Sequence, residues 1–323
     1  MTERLEIIGI QPLVPDPSDW RGALDRAAPL SDHIARMVMR RGDAVEQLVS
    51  EGPDAAVAAA LAEIHAAAEA ADGIDPSMRR MRRAKEAAQL AISAVDLSGG
   101  WAQDKVLEQL TALADASVQS ALRLSVREGW KAGWFDDKRE SDELPGLFVL
   151  AMGKMGAREL NYSSDIDLIV LFDLDILPIK GLRVKEAMTR VTRSLVRILD
   201  ERTVDGYVFR TDLRLRPDPG STSPAVSTQF AHGYYESVGQ NWERMAHIKA
   251  RVCAGDMAAG DAYLEELSPY IWRRHLDYWA IADVHSIKRQ IHALGGHAEL
   301  QSPDFDVKLG RGGIREIEFF AQT

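Results

Sequence analysis

The sharpest hydrophobic pattern in the chain is a pair of apolar runs, residues 147–152 (Leu-Phe-Val-Leu-Ala-Met) and 168–172 (Leu-Ile-Val-Leu-Phe), separated by a polar, glycine-bearing stretch. Each run is too short for an ordinary helix and too continuous for a half-solvated strand, which predicts two buried β-strands. The segment from Gly153 to Gly156 predicts a turn between them. Elsewhere the spacing of apolar residues is three to four. Residues 55–71 are dominated by alanine, which favours helix at nearly every position. Residues 78–97 place Ala84, Ala87, Ala88, Ala91 and Val95 on one stripe. Residues 106–126 do the same with Leu107, Leu110, Leu113, Val118, Leu122 and Val126, and residues 183–201 with Val184, Ala187, Val191, Leu195 and Ile198. All three predict amphipathic helices, the last packed on the sheet. Strict alternation over 207–216 predicts a third strand, with Tyr207, Phe209, Thr211, Leu213 and Leu215 on one face and Val208, Arg210, Asp212, Arg214 and Arg216 on the other.

Punctuation divides these elements. A charged linker over 135–144, closed by Pro145-Gly146, marks a boundary. Residues 217–227, rich in Pro, Gly, Ser and Thr, predict a surface loop able to cover a site. Residues 234–251 and 254–294 read as helical, with Arg244, Ile248 and Arg251 sharing a face. The predicted class is α+β, a mixed sheet with helices flanked by helical regions. Its three segments are a helical region (1–135), a catalytic core (136–232) and a C-terminal helical region (233–323).

Charge narrows the partners. Thirty-nine Lys and Arg stand against 49 Asp and Glu, a net charge of −10, which argues against general nucleic-acid binding, since that depends on excess basic charge. A nucleotide or protein substrate is easier to accommodate. Cys253 is the single cysteine, so an intramolecular disulfide and a cysteine-ligated zinc are excluded and a reducing cytoplasm is expected. The first 20 residues lack a basic segment followed by an apolar one, and no window approaches the roughly 18 apolar residues of a membrane span.

Candidate chemistry gathers where the second apolar run begins. Asp165 and Asp167 lie two apart, so on a strand both carboxylates leave one face, roughly 7 Å apart, while Ile166 turns inward. Paired carboxylates call for cations, and magnesium suits them because it takes hard oxygen ligands and commonly bridges to phosphates. Gly153 and Gly156 would let a phosphate approach backbone amides. The plain alternative is a hairpin with two solvated aspartates. Asp212 supplies a third carboxylate, as a two-metal site needs, or else neutralises Arg210 and Arg214. Arg214 and Arg216 match phosphate oxygens. Lys249 and Arg251 either stabilise a transferring phosphoryl group or pair with Glu236 and Glu243. The run Arg79-Arg80-Met81-Arg82-Arg83 is either an anion-docking patch or a solvated face. Near the end, a glycine-rich turn leads into Arg315, Glu316 and Glu318, either an anion site at a helix start or an ordinary capped helix.

Four segments carry a family resemblance: GKMGARELNYSSDIDLIVLFD; TDLRLRP; Trp242-Glu243-Arg244 followed by Lys249-Ala250-Arg251; and Gly310-Arg311-Gly312-Gly313-Ile314-Arg315-Glu316-Ile317-Glu318-Phe319. Together they resemble the bifunctional glutamine synthetase adenylyltransferase/adenylyl-removing enzyme, which carries two related nucleotidyltransferase domains. The resemblance implies a polymerase-beta-like nucleotidyltransferase core. Its metal motif opens Ser-Ser-Asp in the first, adenylyl-removing half and typically Gly-Ser-Asp in the second, and Ser163-Ser164-Asp165 matches the first. It further implies two Mg2+ ions on Asp165, Asp167 and Asp212. Nucleotide and phosphate contacts would come from Gly153, Lys154, Gly156, Ser163, Ser164, Arg214, Arg216, Lys249 and Arg251. The implied reaction is phosphorolysis of adenylylated glutamine synthetase, with release of ADP and control by a PII signalling protein. Adenylyl transfer from ATP and an inactive regulatory module are the alternatives. Because the chain stops within an apparent helix, it reads as a fragment of a longer protein.

Overall fold

The computed structural model describes residues 16–70, 73–135, 141–179, 181, 183–272, 306–308, 310 and 312–322. The expectations for residues 1–15, for half of the charged linker (136–140), for 273–294 and for Arg311 lie outside them. The chain forms two compact units, neither continuous in sequence. One comprises residues 1–143, 158–166 and 190–211; the other comprises 144–157, 167–189 and 212–323.

The helical unit begins with α1 (Trp20–Ala27), α2 (Asp32–Arg40), α3 (Gly42–Glu51) and α4 (Pro53–Glu69), followed by α5 (Ile74–Ser98) and α6 (Gln103–Lys131). Caps set the first turns: Asp19 accepts from the Gly22 N–H at 2.9 Å, and Ser31 from the Ile34 N–H at 3.4 Å. Leu24, Met37, Leu48, Val57, Leu90, Ile92, Val95 and Leu110 form its core, with Trp20 and Trp101 against them. Of the predicted stripe on α5, Ala84, Ala88, Ala91 and Val95 are buried and Ala87 is half-buried.

Arg82 departs from the expectation that the arginine run lies on the surface. It is 1% exposed, and it donates through Nη2 to the Glu201 carbonyl at 2.6 Å and through Nε to the Gly206 carbonyl at 2.9 Å. A planar guanidinium can serve two diverging carbonyls at once, and that geometry explains its burial. Arg79 remains outside, 3.6 Å from Asp205.

In the sheet unit β1 (Leu147–Ala151) lies between two antiparallel neighbours, β2 (Ile166–Phe172) and β5 (Arg251–Gly255). Leu147 pairs with Phe172 and Ala151 with Leu168. Every residue of β1 is buried, so the run shows no alternation. β3 (Thr211–Asp212) borders β2, and β4 (Ala225–Ser227) pairs with β2 in parallel, giving a mixed five-stranded sheet. Between β1 and β2 lies a single helical turn, α7 (Gly153–Gly156); α8 (Val184–Asp200) follows β2, its first six residues in this unit and the rest in the helical one. Phe148, Leu150, Ile169, Leu171 and Val252 pack with Ala231 and Tyr235 of α9 (Thr228–Ser237) and with Tyr263 and Leu267 of α11 (Met257–Ile271). Short helix α10 (Asn241–His247) precedes β5, and α12 (Ile314–Gln322) closes the described chain. No helix among the described residues is long and apolar enough to cross a membrane.

Three sequence expectations fail here. The third strand is two residues long, not ten. The Val208 and Phe209 N–H groups both donate to the Leu199 carbonyl, at 2.9 and 3.0 Å, and these neighbours are both buried; alternation cannot survive that. Downstream, the Arg214 N–H turns back onto the Asp212 carboxylate at 2.8 Å. Arg251 does not share a helix face with Arg244, because α10 stops at His247 and Arg251 opens β5. The loop over 217–227 is irregular only to its last three residues, which form β4.

Candidate functional site

The site is built outward from the open end of the β1–β2 hairpin. The Met152 N–H donates to the Asp167 carbonyl at 2.9 Å, carrying the ladder one residue past β1. Gly153 then adopts φ +54°, and a Cβ there would stand 3.1 Å from Asp167 Oδ2. A side chain would thus meet both backbone strain and the carboxylate. Gly156 has a different task. A Cβ on it would stand 1.9 Å from the Lys249 carbonyl oxygen, so its bareness allows the turn to pack against the approach to β5. Arg251 braces the same turn, donating to the Met155 carbonyl at 3.1 Å and the Gly156 carbonyl at 3.3 Å. Lys154, on the turn, is half-buried and makes no hydrogen bond or ion pair among the described residues.

The other basic candidates of this unit have protein partners. Arg214 grips Asp212 at 2.8 Å, and that contact holds the Asp212 carboxyl below its ordinary range. Arg216 donates to the carbonyls of Leu213 and Pro219 at 2.9 Å each and of Ser223 at 3.1 Å; its guanidinium shapes the loop that follows it. Lys249 faces Glu318 at 3.6 Å. Glu243 closes a capping box on α10 with Gln240 and accepts from the Tyr234 hydroxyl at 3.2 Å. Glu316 accepts from the Gly312 N–H at 2.6 Å, capping α12, with Arg315 exposed beside it.

In the helical unit the segment leading to Asp165 is fixed by backbone contacts. The Leu160 N–H donates to Thr111 Oγ1 at 3.2 Å, and the Ser164 N–H to the Asn161 carbonyl at 3.3 Å. Ser163 sits at φ +54°, a left-handed conformation costing a non-glycine residue about 1–2 kcal/mol. Arg210, which the sequence offered as one residue of an alternating face and as a partner for Asp212, instead pairs with Asp165 and holds the whole motif. It donates through Nη2 to the Ser163 carbonyl, through Nε to the Asp165 carboxylate, and through Nη1 to the Tyr207 hydroxyl at 3.0 Å. Its own carbonyl accepts from the Ile166 N–H at 2.9 Å, where β2 begins. Asp165 therefore precedes the strand and is aimed by Arg210 instead of by the strand's pleat.

Asp165, Asp167 and Asp212 offer hard oxygen donors, a set that suits magnesium in kind. Among the described residues, no three His, Cys, Asp or Glu side chains gather closely enough to hold a metal ion. Asp165 and Asp212 each pair with a guanidinium, that of Arg210 and that of Arg214 respectively.

The sequence model of a family described as glutamate-ammonia ligase adenylyltransferase matches residues 22–266. The chain belongs to that family. Residues 22–266 include the hairpin, the glycine turn, Asp165, Asp167 and Asp212. Similar proteins include bifunctional glutamine synthetase adenylyltransferase/adenylyl-removing enzymes from Bradyrhizobium sp. (strain BTAi1), 47% identical over 310 residues, and from Caulobacter vibrioides, 48% identical over 305. Another, from Brucella suis, is 49% identical over 300 residues. The first two alignments each cover 94% of this chain and 31% of the relative; the third covers 91% and 30%. The chain thus spans about a third of the length of the family members it matches. Within the adenylyltransferase family, the glycine turn and the Arg210 clamp give its carboxylates their local setting in this chain.

Proposed function

We propose that this chain is the adenylyl-removing part of a bifunctional regulator of glutamine synthetase, built on a polymerase-beta-like nucleotidyltransferase core. The reaction is phosphorolysis. An oxygen of inorganic phosphate attacks the AMP phosphorus, the bond from phosphorus to the tyrosine oxygen breaks, and ADP leaves while the tyrosinate takes up a proton. The observation that carries this reading is Ser163. Glycine would adopt φ +54° freely, yet a serine hydroxyl stands there at a conformational cost, and Ser163-Ser164-Asp165 is the form that resembles the adenylyl-removing half.

The residues divide the work. Lys154 is the cation on the glycine turn free to meet a phosphate oxygen, and Ser163 and Ser164 offer hydroxyl donors. Arg210 sets the direction of Asp165, while the close approach of Gly153 leaves room for the Asp167 carboxylate. In this reading two magnesium ions, held by Asp165, Asp167 and Asp212, would neutralise charge on the transferring phosphoryl group. Adenylylated glutamine synthetase and a PII signalling protein are the proposed partners, and the cytoplasm the proposed compartment.

The test incubates the chain with adenylylated glutamine synthetase, magnesium and inorganic phosphate. ADP is the expected product. Asp165→Asn or Asp167→Asn should lower its release by about 10²–10³-fold, the scale of losing one preorganised electrostatic group, with circular dichroism unchanged. Undiminished ADP release by either variant overturns the assignment. Pyrophosphate formed from ATP and unmodified glutamine synthetase would point to the forward reaction instead.

A further inference from the structure

The helical unit contains a cavity of about 250 Å³ that shares Ser163 and Ser164 with the proposed reaction and adds cationic side chains which that reading does not assign; its role rests on that reading. Four cationic side chains line it, Arg36, Arg40, Arg82 and Lys85, against two carboxylates, Glu86 and Asp205. Both carboxylates already face arginines, Glu86 with Arg40 at 3.7 Å and Asp205 with Arg79 at 3.6 Å. Arg82 is committed to two backbone carbonyls. Lys85 and Arg36 make no ion pair among the described residues. The Lys85 ammonium lies instead over aromatic rings, 5.1 Å from the centre of Tyr207 and 5.8 Å from that of Phe209. Arg202 and Arg210 approach the same Tyr207 ring at 5.5 and 5.9 Å. Three cations around one ring repel one another, and the ring quadrupole offsets that repulsion only in part.

We propose that this cavity binds a phosphate group, with Lys85 as its principal charge and Arg36 as its second. Ser163 and Ser164 line the same wall and add hydroxyl donors of the kind that phosphate oxygens accept. Size selects the ligand class. Enclosing a drug-sized molecule takes about 300–1,000 Å³, so the cavity admits a phosphoryl group but not a whole nucleotide. The phosphate is therefore inorganic phosphate or the terminal phosphate of a nucleotide whose base lies outside. Burial pulls the Lys85 ammonium down to about 8, the state expected of a cation whose counter-ion is not in place.

The site can be tested without turnover, so its failure and that of the proposed reaction are distinguishable. Inorganic phosphate, ADP and adenosine are each titrated calorimetrically into the chain at pH 7, then into Lys85→Gln and Arg36→Gln. Wild type should bind phosphate, ADP or both, and not adenosine. Lys85→Gln should weaken that binding at least tenfold and Arg36→Gln severalfold, with melting temperatures no lower than wild type. Loss for phosphate alone identifies the inorganic ion; loss for ADP alone identifies the nucleotide's phosphate. Wild type that binds neither, or Lys85→Gln that binds both as wild type does, overturns the site.

Discussion

Arg210 and Asp165 are joined through the arginine Nε, and the same guanidinium holds the carbonyl two residues earlier, at Ser163. The pair is worth little to stability, since its side chains are 38% and 54% exposed and exposed ion pairs contribute about 0.2–1 kcal/mol. Its value is in direction. Arg210→Ala should shift the urea midpoint only slightly while lowering phosphate-dependent ADP release by about 10²-fold, the scale of a misplaced reacting group. Equal turnover in the variant would mean that Asp165 is aimed by something else.

Ser163→Gly separates backbone from hydroxyl. Relief of the left-handed cost, about 1–2 kcal/mol, exceeds the added entropy of an unfolded glycine, about 0.5–1 kcal/mol. A melting temperature raised by about 1–3 °C is expected, given roughly 2–4 °C per kcal/mol in a chain of this class. Turnover should fall in the same variant. A lower melting temperature would show that the hydroxyl itself fixes the turn.

Arg82→Met should destabilise by about 1–3 kcal/mol, because the Glu201 and Gly206 carbonyls lose their donor. The lower part of that range applies if water reaches Glu201, which is exposed. Arg82→Lys should not restore stability, since an ammonium cannot reproduce the fork. Chemical denaturation of the two variants checks both statements.

Lys85 sets a pH dependence. Its folded value is near 8 against 10.5 for the ordinary side chain. Below pH 8 both folded and unfolded chains hold the proton, and the cost of a buried charge is fully present. Between 8 and 10.5 the folded chain releases the proton first, so stability rises with pH. Around the ammonium, His33 and Arg36 of α2, Arg82 and Glu86 of α5, and Asp205, Tyr207 and Arg210 remain unchanged in the comparison. Lys85→Met should be more stable than wild type at pH 7 by up to about 3 kcal/mol. The gap should shrink as pH rises from 8 to 10; a constant gap would show that the lysine does not titrate there.

Much of the sheet was readable from sequence because β1 and β2 are buried on both faces, and a continuous apolar run survives without tertiary information. β5 was not. Its Val252, Cys253 and Ala254 are separated from the end of a helix by only four residues, and three apolar residues carry no period. The ten-residue third strand was predicted from side chains alone, whereas the backbone of Val208 and Phe209 is spent on Leu199. Asp165, Asp167 and Asp212 could be put forward as candidates from sequence because spacing and acid chemistry are local. Arg210 and Lys85 could not, since what distinguishes them is who lies beside them. Arg82 makes the same point, because its carbonyl partners are 119 and 124 residues away.

The chain passes between its two units five times, after residues 143, 157, 166, 189 and 211. A gene fragment ending at 143 would encode Arg82 without either carbonyl it serves, and one beginning at 144 would encode those carbonyls without Arg82. The coding region for 82–206 is therefore expected to act as one block. Recombination between homologues should yield soluble chimaeras when crossovers fall outside that block and misfolded ones when they fall within it.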